Sequence, residues 1–311
     1  MVLLCDLDDD VLSYILSYMS VPSLVRLRNC CRMTDVLVNC ELEHRYYCVL
    51  SPFVENVLHF REELDFSGSI ICGDTALMFA LGIPSSESNM DISTSKSNLF
   101  HILAYLVRIE GYTIASLNTS SILFPLRPRE KRTTVLARGS MTITLVQSCS
   151  DSASFPIIYM PSTSLFTFLH GSHISIAYPV LLEQFRALLN TLHYDATGDV
   201  DALEPFLRSQ QLLGFDYHSH SIVWARENDP TASCPPSGLP SCPHTVRWVD
   251  DAFHLRTSFA TIERRMAIRF SFDKLTVIWW RGGSPCHLSS PCGSAFTLPH
   301  ASTILRSFVT S

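Results

Sequence analysis

Basic charge is scarce in this sequence. Only 23 lysines and arginines stand against 29 aspartates and glutamates among 311 residues, a formal net charge of −6. That balance leaves no electrostatic footprint for nucleic acid. Long apolar runs are also missing: none approaches the ~20 residues a membrane span requires. The opening residues MVLLCDLDDD hold an apolar run too short for a secretory signal, and acids follow it directly. No segment repeats at a fixed period, and no long low-complexity tract occurs. The eleven cysteines are scattered, apart from the adjacent pair Cys30-Cys31. In a chain of this length without a signal they read as reduced thiols, so the expected setting is the cytoplasm or nucleus.

The common catalytic signatures are absent too. No G-x-S-x-G elbow is present; Gly139-Ser140 reads as a turn, and Ser172 lacks the strand-to-helix setting a nucleophile needs. There is no Walker sequence and no G-x-G-x-x-G. Cys234, Cys242, His244, Cys286, His287 and Cys292 lie near the C-terminus, but not at the close spacing that presents two ligands to a single zinc. His218 and His220 read as strand or turn residues, with Asp216 the only nearby acid. The expectation is therefore no resident metal, no cofactor and no catalytic residue.

What the chain does have is apolar content, 47% of its residues, ample for a sizeable core. Residues 4–48 pattern as a compact helical unit. Asp8 is placed to cap a first helix with Asp9 and Asp10 at its positive end. Val11, Leu12, Ile15, Leu16 and Met19 recur at helical spacing. Ser20-Val21-Pro22 interrupts them, and Leu24, Leu27, Cys30, Cys31, Val36 and Leu37 follow. This unit resembles an F-box: Leu7, Ile15, Leu16, Met19, Leu24, Leu27, Cys31 and Arg32 stand where that family has its leucine entry, its apolar helix, its Leu-x-x-Leu step and its cysteine-arginine pair. Asp8 replaces the usual proline, and Met33-Thr34 replaces an aromatic. The resemblance implies that Leu7, Ile15, Leu16, Leu24, Leu27 and Cys31 face a Skp1-like adaptor of cullin–RING ubiquitin ligases. The alternative is an ordinary helical hairpin packed on the main domain.

The second informative stretch is Ile70–Tyr112. Ile70-Ile71-Cys72 is a short apolar strand, and Gly73 hands it to a helix over Thr75–Leu81 that Gly82 stops. Asn89–Ser93 is a second strand carrying Asp91. Ser95–Ile109 is a helix with Leu99, Ile102, Leu103, Leu106 and Ile109 along its apolar stripe. The layout resembles the nucleotidyltransferase fold, in which a glycine turn cradles a triphosphate and clustered carboxylates hold two Mg²⁺ ions. Here the turn is Gly73-Asp74, the carboxylate triplet reads Asn89-Met90-Asp91, and the following strand Met141–Val146 has threonines and no acid. Gly73, Asp74, Asn89 and Asp91 thus read as a degenerate nucleotide site. The competing reading is an active Mg²⁺-dependent nucleotidyltransferase using Asp91 and Asp74.

Beyond it, Thr113–Leu117 reads as a strand and Pro125–Arg132 as a basic loop, with nuclear import an alternative use. Thr133–Ala137 and Met141–Gln147 form a hairpin around Arg138-Gly139-Ser140. Tyr159–Pro179 resembles the middle of a group of fungal proteins through Ser162-Thr163 and Ala177-Tyr178-Pro179. Helices are expected over Pro179–Leu192, Asp201–Leu213 and Phe253–Arg265, and a β-hairpin over Met266–Phe272 and Leu275–Arg281. The expected architecture is α+β: a small F-box-like helical unit (1–50) before a mixed-sheet, nucleotidyltransferase-like domain (51–311) with a β-rich C-terminal extension. The expected role is a non-catalytic adaptor that brings an unidentified target protein to a ubiquitin ligase, without membrane or nucleic-acid partners. A standalone scaffold with no ubiquitin link is a third reading.

Overall fold

A computed structural model describes residues 7–84, 88–117, 132–190, 204–229, 231, 240–242, 245, 247–249, 251–259 and 277–279. The described residues begin with three helices: α1 (Asp9–Ser17), α2 (Val21–Arg28) and α3 (Arg32–Leu50). Asp8 holds the extended backbone of an N-cap, but its side chain makes no capping hydrogen bond, so that expected cap is not formed. Ser20 does cap α2, accepting from the Ser23 amide at 3.4 Å, and Pro22 sits in the first turn, where its missing N–H is not needed. The chain reverses at Asn29–Cys31. Thr34 then accepts from the Cys31 amide at 3.1 Å and starts the 19-residue α3.

Helix α4 (Val57–Ser67) ends at Gly68 in the left-handed region, and β1 (Ile70–Cys72) follows. Next come α5 (Gly73–Leu81), β2 (Asn89–Thr94), α6 (Leu99–Arg108), β3 (Thr113–Leu117), β4 (Arg132–Arg138) and β5 (Met141–Gln147). Short 3-10 turns at Phe155–Tyr159 and Thr163–Leu165 lead to β6 (Thr167–Leu169) and β7 (His173–Ile176). The remainder holds α7 (Pro179–Glu183), β8 (Arg186–Leu188), α8 (Glu204–Leu212), β9 (Asp216–His218), α9 (Ile222–Asn228), β10 (Arg247–Trp248), β11 (Leu255–Ser258) and β12 (Ile278–Trp279).

Among the described residues, eight strands form a mixed sheet in the order β11-β7-β6-β1-β2-β5-β4-β3. Strand β2 runs antiparallel to β1 and parallel to β5. β4 and β5 form the expected hairpin, with Gly139 at φ 60° in its turn. All three residues of β1 are buried, as a central strand covered on both faces requires. Helix α5 packs on β1, β2 and β6, and the N-terminal α2 and α3 pack on α5 in turn. The apolar core is continuous from Leu16 to Trp279. Arg28 at the end of α2 reaches the edge strand β11, donating to Thr257 Oγ1 at 2.9 Å and the Ser258 carbonyl at 2.7 Å.

Two expected elements differ, and a third is described only in part. The helix expected over Pro179–Leu192 stops at Glu183: Phe185 takes φ 50°, and Arg186–Leu188 becomes β8, paired in parallel with β9. The stretch Leu255–Ser258, expected inside a helix, is strand β11, paired with β7. Ile278–Trp279 pairs with Arg247–Trp248; the Met266–Phe272 half of the expected hairpin lies outside the described residues, as do Leu7's upstream neighbours, the basic loop before Arg132, and Cys234, His244, Cys286, His287 and Cys292. Buried Arg247 is enclosed by the Tyr178, Phe253 and Trp279 rings and pairs with Asp251. It also donates to the Ala177 carbonyl at 2.7 Å. That is the local reason Ala177-Tyr178 is embedded in the core.

Candidate functional site

Two regions carry the residues singled out in the sequence. The first is the N-terminal helical unit. The alternation of α1 splits its apolar residues between two faces. Leu12 and Leu16 are buried, with Leu24 of α2 beneath them at no exposure. Leu27 is partly buried against the same core, Leu7 is half-buried and Cys31 is exposed. Of the expected docking residues on helices, Ile15 therefore faces outward, whereas Leu16 and Leu24 hold the unit together from inside.

The outward face of α1 is made by others. Val11, Tyr14, Ile15 and Tyr18 recur one helical turn apart, with Tyr14 65% and Tyr18 69% exposed. The two tyrosine rings meet edge to face at 5.0 Å, and Tyr18 donates to the Tyr14 oxygen at 3.2 Å. That hydrogen bond to Tyr14 raises the Tyr18 phenol above its ordinary value. The pair forms an exposed amphipathic ridge along α1, held by its own ring contact and hydrogen bond. Sequence periodicity had assigned all of α1's apolar residues to one face. It missed the tyrosines because an aromatic with a hydroxyl fits either face.

Helix α1 is fastened at its far end by Arg45 of α3. Its guanidinium donates to the carbonyls of Leu16, Ser17 and Met19, and to Phe79 of α5 at 3.1 Å. All lie at helix C-termini, where carbonyls have spare acceptor capacity; those of Leu16 and Phe79 also accept from the Met19 and Gly82 amides. Glu41 completes the pairing at 3.0 Å. Gly82, at φ 73° after α5, lies against the same junction: a Cβ there would stand 2.8 Å from the Met19 oxygen.

Residues 4–34 match the F-box domain family. Comparison with curated proteins and with solved structures gave no match. The F-box domain thus spans α1, α2 and the first turn of α3. Its buried leucines are scaffold, and its exposed surface includes the Val11–Tyr18 ridge and the Cys30–Met33 turn. No helix among the described residues is long and apolar enough to cross a membrane.

The second region is the corner where β1, α5 and β2 meet. Gly73 begins α5 at φ 69°, a conformation other residues resist, and a Cβ on it would lie 2.6 Å from Asp91 Oδ2. Glycine is required there on both counts. The register sets Cys72 opposite Asp91, and Asn89 and Asp91 beside Thr142 and Thr144 of β5. Strand alternation puts all four on one face. The Thr142 and Thr144 hydroxyls each donate to Asn89 Oδ1 at 3.0 Å, and Asn89 Nδ2 donates to Asp91 Oδ1 at 3.1 Å. Asp91 is 6% exposed. Asp74 turns away to accept from Gln210 of α8 at 2.7 Å. Of the four residues named from sequence, Gly73, Asn89 and Asp91 converge, through an amide–hydroxyl network in which Asn89 stands between Asp91 and the threonines, while Asp74 is taken up by Gln210.

Proposed function

We propose that this chain is a substrate adaptor. Its F-box domain docks on a Skp1-like adaptor of a cullin–RING ubiquitin ligase through the Val11, Tyr14, Ile15 and Tyr18 ridge. The sheet and its helices then present a target protein for ubiquitin transfer. The observation that carries this reading is an outward apolar ridge on the segment that matches the F-box family. Burying such a ridge against a partner groove would remove a surface that otherwise stands unfavourably in water.

The sheet region is, on this reading, a nucleotidyltransferase-like scaffold without catalysis. Two features support it. The place of one carboxylate is taken by Asn89, whose amide is consumed by Asp91 and two threonines. Asp74 is bound to Gln210. A Mg²⁺ pair needs several clustered anionic oxygens, and Asp91 is the acid this corner supplies. The competing enzyme reading draws on the closeness of Asp91 to the Gly73 turn.

Co-expression of the full chain with a Skp1-like adaptor tests the main reading. A stable complex is the expected outcome; a chain that stays unbound at micromolar concentration would refute it.

A further inference from the structure

Strand β9 and helix α9 bring together a group of side chains that the adaptor role does not use. Asp216 and His218 are two residues apart on β9 and so share one face. After a short turn, α9 returns Glu227 to the same place. Ligand-capable atoms of Asp216, His218 and Glu227 all lie within 4.8 Å of one another. Asp216 Oδ1 and His218 Nε2 are 3.3 Å apart. The edge of a tetrahedron around zinc, with bonds of about 2.0–2.1 Å, is about 3.3 Å. The pair therefore already stands at ligand spacing.

The surroundings orient each ligand. The Trp224 indole N–H donates to Asp216 Oδ2, which leaves Oδ1 directed toward His218. Arg186 of β8 approaches Glu227 Oε2 at 3.7 Å and lies over the Trp224 ring at 5.1 Å. Trp224 in turn meets the His218 ring edge-on at 5.4 Å. Groups that hold the ligands from behind in this way fix their direction and basicity. The two carboxylates carry a charge of the sign a dication needs, partly offset by Arg186 beside Glu227. A mixed nitrogen–oxygen set suits zinc better than magnesium or calcium, which take oxygen alone.

We propose that Asp216, His218 and Glu227 form a zinc site that ties α9 to β9, with water in the fourth position. Asp216 and Glu227 are half exposed, so the open position faces solvent. The sequence hid this arrangement. Asp216 was visible beside His218, but Glu227 arrives from the next helix, outside any short ligand motif.

The test uses the full chain, freed of metal by a chelator and titrated with zinc alone. The wild type is expected to bind a zinc ion that Asp216→Asn, His218→Gln and Glu227→Gln each lose, with circular dichroism unchanged. Trp224→Phe should weaken binding roughly tenfold. Cobalt substituted at the site should give visible d–d bands without sulfur-to-metal charge transfer, which separates it from the cysteines. Zinc binding that is equal in the wild type and all three ligand variants would overturn the proposal, as would no zinc binding at micromolar concentration.

Discussion

Both terminal nitrogens of Arg45 donate to the carbonyl oxygen of Met19, each at 3.2 Å. That contact ends α1 and, through the Phe79 carbonyl, joins the F-box domain to the sheet layer. Arg45→Met should therefore cost far more than a surface change. It would leave Glu41 buried without its cation and remove the guanidinium's bonds to the Ser17 and Met19 carbonyls, a loss of about 3–5 kcal/mol. Urea denaturation measures it. A loss under ~1 kcal/mol would mean that water replaces the guanidinium and that α1 is not fastened by this residue.

The Gly73–Asp91 approach predicts a coupled pair. Gly73→Ala meets both a positive φ and a close carboxylate oxygen, so it should destabilise the fold by about 2 kcal/mol or more. In an Asp91→Ala background the steric part disappears and the cost of Gly73→Ala should shrink. Equal costs in both backgrounds would show that backbone strain alone acts there.

Nucleotide binding is a further point of contact with experiment. With Mg²⁺ and ATP or GTP, the melting temperature is expected to stay where it is without nucleotide, in the wild type and in Asp91→Ala alike. A nucleotide-dependent rise that Asp91→Ala abolishes would restore the enzyme reading.

Acid should weaken the fold through a histidine pair, His170 in the turn after β6 and His173 at the start of β7. His170 and His173 stack with ring centroids 3.8 Å apart. Burial, with Arg256 and His254 nearby, pushes His170 down to about 3. Burial and His170 itself push His173 down as well. Both are held neutral in the fold, so the unfolded chain takes up protons first. Stability is full above the ordinary histidine value near 6.5 and declines as pH falls below it toward the folded value. For His170 the decline at pH 5 is roughly 1–2 kcal/mol. Denaturant midpoints at pH 7.5 and pH 5 compare the two; a His170→Gln variant should lose less on acidification. An unchanged midpoint would contradict the neutral pair.

Much of the fold was legible where glycine punctuates it. The order β1, α5, β2, α6 follows from Gly73, Gly82 and the spacing of Leu99, Ile102 and Leu106, and the β4–β5 hairpin follows from Gly139. The errors came where long-range pairing overrides local pattern. Leu188 and Leu189 continue a helical spacing from Leu182, yet Phe185 turns the chain and β8 pairs with β9. Trp279 sits beside Arg247, a partner no local pattern could supply. At the F-box domain, periodicity places Val11, Leu12, Ile15, Leu16 and Met19 on one apolar face of α1. It could not say that Leu16 goes inward while Tyr14 and Tyr18 go outward, because that depends on what α2 and α3 cover.

The most direct measurement is affinity of the full chain for a Skp1-like adaptor, compared across Tyr14→Asp, Tyr18→Asp and Leu58→Asp. Leu58 is a fair control, 54% exposed but on α4. The expected result is binding by the wild type and by Leu58→Asp, with each tyrosine variant folded but weakened by about 2 kcal/mol or more. Tyrosine variants that bind as tightly as the wild type, or a wild type that does not bind, would contradict the docking role of the α1 ridge.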